Sequence, residues 1–161
     1  MKLNTKILLL ITLVFVASVG IAVAEDATVS PYTFTIPDGY TVATTTDTTC
    51  AMQKDAAHAV SFATEVSDDL ESAKQTLIEQ GQALLDEQEI KYNDMDITLQ
   101  AFSADKDGTT LYSYNYIMLS ESGNFVVTVV TDDPNFNSDL NSANAEDNPA
   151  VTIFNTIQVN N

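Results

Sequence analysis

The segment 131–147 alternates acidic and amide side chains in the manner of a calcium-binding loop. A calcium loop of the helix–loop–helix type places oxygen ligands at every second position, with glycine at position 6 and glutamate at position 12. Ser138 and Asn144 occupy those two positions when the loop is counted from residue 133. The pattern therefore predicts a weak calcium site at most, and a solvated loop of local turns at 132–147 is the preferred alternative. The candidate ligands are Asp133, Asn135, Asn137, Asp139 and Asn141.

A row of tyrosines offers a second kind of chemistry, which is binding without bond-making. Tyr112, Tyr114 and Tyr116 alternate along one segment, so on a strand they share one face. Tyrosine combines apolar area with a polar tip, and an exposed row could stack against a sugar or a partner's peptide. The alternative is that the row packs beneath another element of the protein. Both interpretations remain open from the sequence.

Groups for catalysis are present, but their spacing sets none of them aside for a reaction. Cys50 and His58 are too far apart along their predicted hairpin to act as a nucleophile and its base. A single histidine also argues against a histidine-ligated metal. The 23 acidic residues leave a hydrolase with an unidentified carboxylate pair as an alternative. The sequence favours a protein that is not an enzyme and has no cofactor, apart from weakly bound calcium.

The first 24 residues have the pattern of an export signal. Lys2 and Lys6 precede an uncharged run at 7–24. The run ends in a small-x-small tripeptide that a signal peptidase accepts. The alternative is an uncleaved anchor, because 18 uncharged residues can just span a bilayer. In either case we expect the rest of the chain to be secreted or at the extracytoplasmic surface, with only 7–24 able to contact a membrane.

The chain that follows the predicted signal is strongly acidic. It carries 4 lysines, no arginine and 23 acidic residues, which gives a net charge of 4 − 23 = −19. Such a surface repels phosphate backbones, so nucleic acids are excluded as partners. The expected partner is another protein or a component of the cell wall or envelope.

Apolar periodicity predicts the elements that must position these side chains. Period-two patterns predict strands at 32–36, within 50–66, and in a three-stranded meander at 96–131. Apolar residues at helical spacing predict one long helix at 68–89, and Asn148-Pro149 predicts the start of a short final helix. The predicted fold is α+β, with an antiparallel sheet of about six strands and both helices packed on it. The predicted organisation is a signal peptide or anchor at 1–24, a short tether at 25–31 and a single domain at 32–161.

The opening and closing segments resemble those of the PsbP-like superfamily. The opening motif F-x-I-P-x-G-Y contains Phe34, Ile36, Pro37, Gly39 and Tyr40, and the closing segment 150–157 reads AVTIFNTI. With the order of elements, the resemblance covers about residues 32–159. This superfamily includes the extrinsic protein of the photosynthetic oxygen-evolving complex and DcrB-like envelope proteins of bacteria.

The resemblance implies an antiparallel sheet between helices and a non-catalytic role in the envelope. The lipid-attachment cysteine that envelope members often carry is absent, and no residue is matched to the photosynthetic member's binding surface. We therefore transfer no site residue. The predicted function is an exported binding or interaction module, with a calcium-responsive structural module or a hydrolase as alternatives.

Overall fold

The protein is built from two antiparallel sheets and two short helices in the part that the structure describes. That structure is a computed structural model, and it describes residues 25–121 and 123–160. The predicted signal at 1–24 lies outside the described residues. In chain order the elements are β1 (Asp26–Val29), β2 (Tyr32–Thr35), β3 (Thr41–Thr45), β4 (Thr49–Gln53), β5 (Ala59–Ala63), α1 (Leu70–Glu79), β6 (Ala83–Tyr92), β7 (Met95–Lys106), β8 (Thr109–Met118), β9 (Phe125–Thr131), a 3₁₀ turn (Ala145–Asp147), α2 (Pro149–Thr156) and β10 (Gln158–Val159).

The large sheet has the strand order β3-β4-β5-β9-β8-β7-β6, and the small sheet has the order β1-β2-β10. Every pairing between these strands is antiparallel. Within the described ranges, no helix has both the length and the apolarity that a membrane crossing requires.

The predicted long helix at 68–89 is wrong, and so is the predicted α+β fold of about six strands. The helix ends at Glu79, and Gly81 follows with a φ of +92°. This left-handed conformation suits glycine and commonly terminates helices. The described chain is consequently mostly sheet, with two short helices and no long one.

The second half of the predicted helix forms strand β6, because it pairs with β7. A two-residue turn at Asn93 and Asp94, with φ values of 49° and 62°, folds β6 back along β7. Positive φ at both central residues is the geometry that joins twisted antiparallel strands tightly. The helix preference of Leu, Glu and Gln differs from that of strand formers by only about 0.7 kcal/mol per residue or less. Nine paired positions with β7 outweigh that preference.

The predicted tether at 25–31 is also corrected, because most of it is strand β1. β1 pairs with β2 along its whole length, and Ala27 and Val29 alternate into the core. The domain therefore begins about six residues earlier than the predicted boundary at 32.

Several local predictions are confirmed by the structure. β4 and β5 form the predicted hairpin, and β7, β8 and β9 form the predicted meander. In this hairpin Cys50 lies opposite Phe62. The side chain of Asn148 caps α2 and Pro149 is its first residue.

The core lies on both faces of the large sheet. On one face, the small sheet and α2 cover a cluster of rings that includes Phe34, Phe62 and Phe125, with the Phe62 and Phe125 centroids 5.1 Å apart. On the other face, Leu70 of α1 packs against Ile117 and Val126. The sheet is thus covered on both sides over its central strands, which explains why β9 is apolar on both faces.

Candidate functional site

The tyrosine row and the 132–147 loop, two separate features in the sequence, lie against each other. Tyr114 is 8 % exposed and Tyr116 is 0 % exposed, while Tyr112 is half-buried. Phe136 of the loop stacks on Tyr114 with ring centroids 4.8 Å apart. The hydroxyl of Tyr116 donates a hydrogen bond to the carbonyl oxygen of Ser138 at 2.9 Å. The row therefore packs beneath the chain's own loop, and only Tyr112 keeps surface for a partner, so a binding role for the row stays a prediction.

Asn148 connects this loop to α2. Its Nδ2 donates to Tyr116 Oη at 2.9 Å and to the carbonyl oxygen of Asn137 at 3.1 Å. Its Oδ1 accepts from the backbone N–H of Ala150 at 3.0 Å. Burial raises the pKa of Tyr116 well above its ordinary value, although the hydrogen bond from Asn148 opposes the shift. The phenol stays neutral, so it can keep donating to Ser138.

The candidate calcium ligands form a series of local turns. Asp133 Oδ1 accepts from the N–H of Asn135 at 2.8 Å, and Asp139 Oδ1 accepts from the N–H of Asn141 at 2.9 Å. Asn137 Oδ1 accepts from the N–H of Asp139 at 3.2 Å. Each is a turn in which an Asn or Asp side chain replaces a backbone acceptor. In the described part of the chain, no group of three or more His, Cys, Asp or Glu side chains is placed to hold a metal. Calcium binding by this loop stays a prediction.

A cleft of about 580 Å³ opens between this loop and the turns that flank β3 and β4. One wall comes from Pro37, Tyr40, Lys54 and His58, and the floor comes from Val129 to Thr131 at the end of β9. The opposite wall comes from the 132–147 loop and the start of α2. Its members are Asp133, Asn135, Phe136, Asn137, Asn144, Glu146, Asp147, Asn148, Pro149 and Thr152.

His58 stands between two carboxylates at one side of the cleft. Its Nδ1 lies 2.7 Å from Asp55 Oδ1, and its Nε2 lies 3.6 Å from Asp132 Oδ1. Burial opposes the charge on Asp55, but hydrogen bonds from Ala57 N–H and from His58 outweigh it and lower the pKa of that carboxyl. Both ring nitrogens face carboxylates, so His58 links the β4–β5 turn to the loop.

Tyr40 and Lys54 supply hydrogen-bond donors on the wall of the cleft that faces the 132–147 loop. Burial, and then the negative charge of Asp55, raise the pKa of Tyr40 to about 12, so its hydroxyl is a neutral donor. The side chain of Lys54 runs over Gly39, with Lys54 Cε 3.5 Å from the point where a β-carbon would stand. Because Gly39 has a φ of +81° and no side chain, the turn can hold Lys54 at the cleft.

No protein-family model matches the chain, and no curated protein matches it in sequence. The fold is similar to the solution structure of a cyanobacterial PsbP (CyanoP) from Synechocystis sp. PCC 6803, with a TM-score of 0.50 and 10 % identity over 91 % of this chain and 98 % of that one. The chain has a PsbP-like fold. A crystal structure of a protein from Bacteroides thetaiotaomicron is also similar, with a TM-score of 0.55 and 12 % identity over 83 % of this chain. The chain spans about half of that protein, 48 % of its length. At such identities the similarity concerns the fold alone.

On this PsbP-like fold the cleft is a site that the sequence did not indicate. Its lining residues are spread from 37 to 152 and come from turns, a strand end and a loop. No single motif contains them, so only the pairing of β5 with β9 brings the two walls together. The two groups considered for nucleophilic chemistry are separated, since Cys50 is buried in the core and His58 lies at the cleft. Burial raises the pKa of the Cys50 thiol to about 11, which keeps it protonated.

Proposed function

We propose that this chain is an exported, non-enzymatic binding protein of the extracytoplasmic space that takes a small polar ligand in the cleft. The observation that carries the proposal is a cleft of about 580 Å³ with one wall braced by Tyr116, Asn148 and Phe136. Ligand pockets usually measure about 300–1,000 Å³. A wall held by buried hydrogen bonds and ring stacking is already ordered, so a ligand loses less free energy in ordering it.

The charges of the cleft favour a ligand without negative charge. Lys54 and His58 face a larger number of carboxylates, including Asp38, Glu146 and Asp147. Amide and carboxylate oxygens beside Tyr40 and Phe136 are suited to hydroxyl groups and to the apolar face of a sugar ring. A neutral saccharide of the cell wall or envelope is the ligand that this chemistry fits best.

Two observations support a role without catalysis. The Cys50 thiol is protonated and buried, and both nitrogens of His58 are directed at carboxylates. A nucleophilic mechanism needs a thiol or hydroxyl within hydrogen-bond reach of its base. Export is supported by the charge and apolar pattern of residues 1–24.

The cleft proposal is tested by titrating the purified protein with soluble neutral cell-wall oligosaccharides in calorimetry. Glu146→Gln replaces a charged acceptor with a neutral amide, Tyr40→Phe removes a hydroxyl group, and we expect each to weaken binding about fivefold. Glu79→Gln, the same change on α1 outside the cleft lining, serves as the matched control and should bind normally. Absence of binding by the whole saccharide panel, or equal weakening by the control, would contradict the proposal.

The localisation is tested by the intact mass of the native protein after cell fractionation. A mass that begins at Glu25, found outside the cytoplasm, is the expected result. An intact chain in the cytoplasmic fraction would remove the export part of the proposal, whereas an intact chain in the membrane fraction would support the anchor at 7–24.

A further inference from the structure

β6 is an open edge of the large sheet and is exposed along most of its length. It pairs with β7 on one side and stands last in the strand order, so its other side has no neighbouring strand in the described chain. Eight of its ten residues are exposed, and only Ile90 and Tyr92 are partly buried. A strand edge of this length is a template for pairing with another extended chain.

The turn that joins β6 to β7 decides which backbone groups point away from the sheet. In a two-residue hairpin the residues that flank the turn, here Tyr92 and Met95, exchange the first pair of hydrogen bonds. Alternate residues on β6 then direct their N–H and C=O outward, which selects Lys91, Glu89 and Glu87.

Two hydrogen bonds agree with that assignment. The carbonyl of Lys91 accepts from Asn141 Nδ2 at 3.1 Å, and the N–H of Glu87 donates to Asp86 Oδ1 at 3.0 Å. Both partners are side chains outside β7. Between them, the N–H and C=O of Glu89 form the centre of the open edge. An added strand would satisfy these two groups, together with the Glu87 carbonyl and the Lys91 N–H.

The side chains along this edge select the charge of the partner. Asp86, Glu87 and Glu89 lie within four consecutive residues. Lys74 of α1 pairs with Glu87 at 2.9 Å, and Lys91 of β6 pairs with Asp96 at 3.7 Å, so an excess of negative charge remains at the edge. In a second copy paired antiparallel about Glu89, the two Glu89 side chains would face each other, and like charges across a strand pair destabilise it, although Lys91 would then face Glu87. The charges that disfavour self-pairing favour a strand that carries lysine or arginine.

An apolar patch at the start of the edge adds contact area. Leu84 is 38 % exposed and Leu85 is 53 % exposed, and the β6–β7 register shifts between Leu84 and Asp86. An apolar side chain of an added strand could cover Leu85. The opposite edge, β3, is only five residues long, uncharged and rich in threonine, and Val42 is its exposed apolar side chain.

We propose that the β6 edge pairs with an extended, basic segment of another protein, which would add an eighth strand to the large sheet. This surface is separated from the cleft by β8 and β7 in the strand order, although Asn141 of the loop reaches Lys91 at one end of the edge. The alternative is that the acidic side chains only protect the edge against aggregation.

The test measures fluorescence anisotropy of a labelled ten-residue peptide of alternating Lys and Thr added to the full chain at low salt. A peptide of alternating Glu and Thr is the charge control. We expect saturable binding of the Lys peptide and none of the Glu peptide. Hydrogen exchange with the bound peptide should slow at the amides of Glu89 and Lys91, whose N–H groups the β6–β7 register directs outward.

Two variants separate backbone pairing from simple charge attraction. Glu89→Pro removes an outward N–H without breaking the β6–β7 ladder, and it should weaken binding about tenfold or more. The double variant Asp86→Asn/Glu89→Gln should weaken binding while leaving the fold unchanged, even if the proline variant does not fold. Asp107→Asn, at the β7–β8 turn, is the matched control and should bind like the unmodified protein.

Three results would overturn the proposal. They are failure of the Lys peptide to bind, equal weakening by Asp107→Asn, and a folded Glu89→Pro protein that binds normally. The first outcome leaves protection against aggregation as the role of the acidic edge, and none of the three bears on the cleft.

Discussion

At the scale of single residues, Asn148 combines three structural roles. Its side chain caps α2 and also bonds to the loop and to the tyrosine row, and it is only 1 % exposed. Buried polar groups are stabilising when every donor and acceptor has a partner, and costly when one partner is removed. The four-residue contact of Asn148, Tyr116, Asn137 and Ala150 is therefore expected to respond strongly to mutation.

Asn148→Ala should lower the free energy of unfolding by about 2–4 kcal/mol. The loss combines a helix cap, about 1 kcal/mol, with buried hydrogen bonds worth about 1–3 kcal/mol. Urea denaturation measures it. The matched control is Asn144→Ala, because Asn144 is exposed and its side chain makes no cap hydrogen bond. A loss below about 0.5 kcal/mol for Asn148→Ala, as for ordinary surface changes, would contradict the assigned role.

Asp55 makes a pH-dependent contribution of known sign. Its pKa is lowered in the folded protein, so its stabilising effect is present above the ordinary aspartate pKa of about 3.9 and is lost as the pH falls below that value. The free-energy difference between Asp55→Asn and the unmodified protein should therefore shrink as the pH is lowered from 6 to 2.5. The effect is small, because the side chain is 51 % exposed. Denaturation across this range measures it, and a difference independent of pH would rule it out.

At the scale of elements, α1 is attached to the sheet by few contacts. Among its residues, only Leu77 is buried, at 3 % exposed, while the adjacent Ile78 is 37 % exposed. Lys74 adds ion pairs to Glu71 and Glu87 at the surface. The position of α1 thus depends on Leu77 together with Leu70, which packs against Ile117 and Val126.

Leu77→Ala should destabilise the protein by about 2–4 kcal/mol, since it removes buried methyl groups and leaves a cavity. Ile78→Ala is the control one residue away, and we expect about 1 kcal/mol or less, because little of its burial is lost. Guanidinium denaturation of both variants checks the prediction. Equal effects would mean that α1 does not dock on the sheet through Leu77.

The β6–β7 turn offers a second prediction for the same part of the sheet. Asp94 has a φ of 62°, a conformation that glycine adopts without steric cost. Asp94→Gly creates the favoured Asn-Gly turn and should stabilise the protein by about 0.5–1 kcal/mol. Asp94→Ala keeps the strain without the side-chain oxygen and should destabilise it. Thermal unfolding of both variants gives the comparison, and a destabilising glycine would mean that the turn is not formed.

At the scale of the whole molecule, charge repulsion acts against folding. The residues after the predicted signal carry a net charge of 4 − 23 = −19. Repulsion among surface charges is screened when the Debye length falls from about 10 Å at 0.1 M salt to about 3 Å at 1 M. We expect the melting temperature to rise by several degrees between 0.02 and 0.5 M NaCl, with a chelator present to exclude calcium effects. A falling melting temperature would show that favourable ion pairs such as Lys74–Glu87 outweigh the repulsion.

Calcium is tested in the same experiment. A rise in melting temperature with millimolar calcium at constant ionic strength would support the predicted calcium site at 133–141. An unchanged melting temperature would support the alternative, a loop of local turns formed by its Asn and Asp side chains.

Several pieces of local structure can be predicted from residues that are close together in the chain. The cap by Asn148 with Pro149 after it, the alternation of Tyr32 and Phe34, and the turn that ends at Tyr40 each depend on residues adjacent in the chain. Short-range sterics and hydrogen bonds act before any tertiary contact, so these elements can be predicted from a few residues.

Long-range strand pairing made residues 83–92 a strand and brought the walls of the cleft together. The segment has helical spacing in isolation, yet it forms a strand by pairing with β7. The free energy of this pairing exceeds the helix preference, which is only a few tenths of a kcal/mol per residue. The tyrosine row and the Asp/Asn loop could be identified separately in the sequence. That Phe136 lies on Tyr114 and Ser138 on Tyr116 follows from β-sheet order and loop packing, which are long-range interactions that no local pattern encodes.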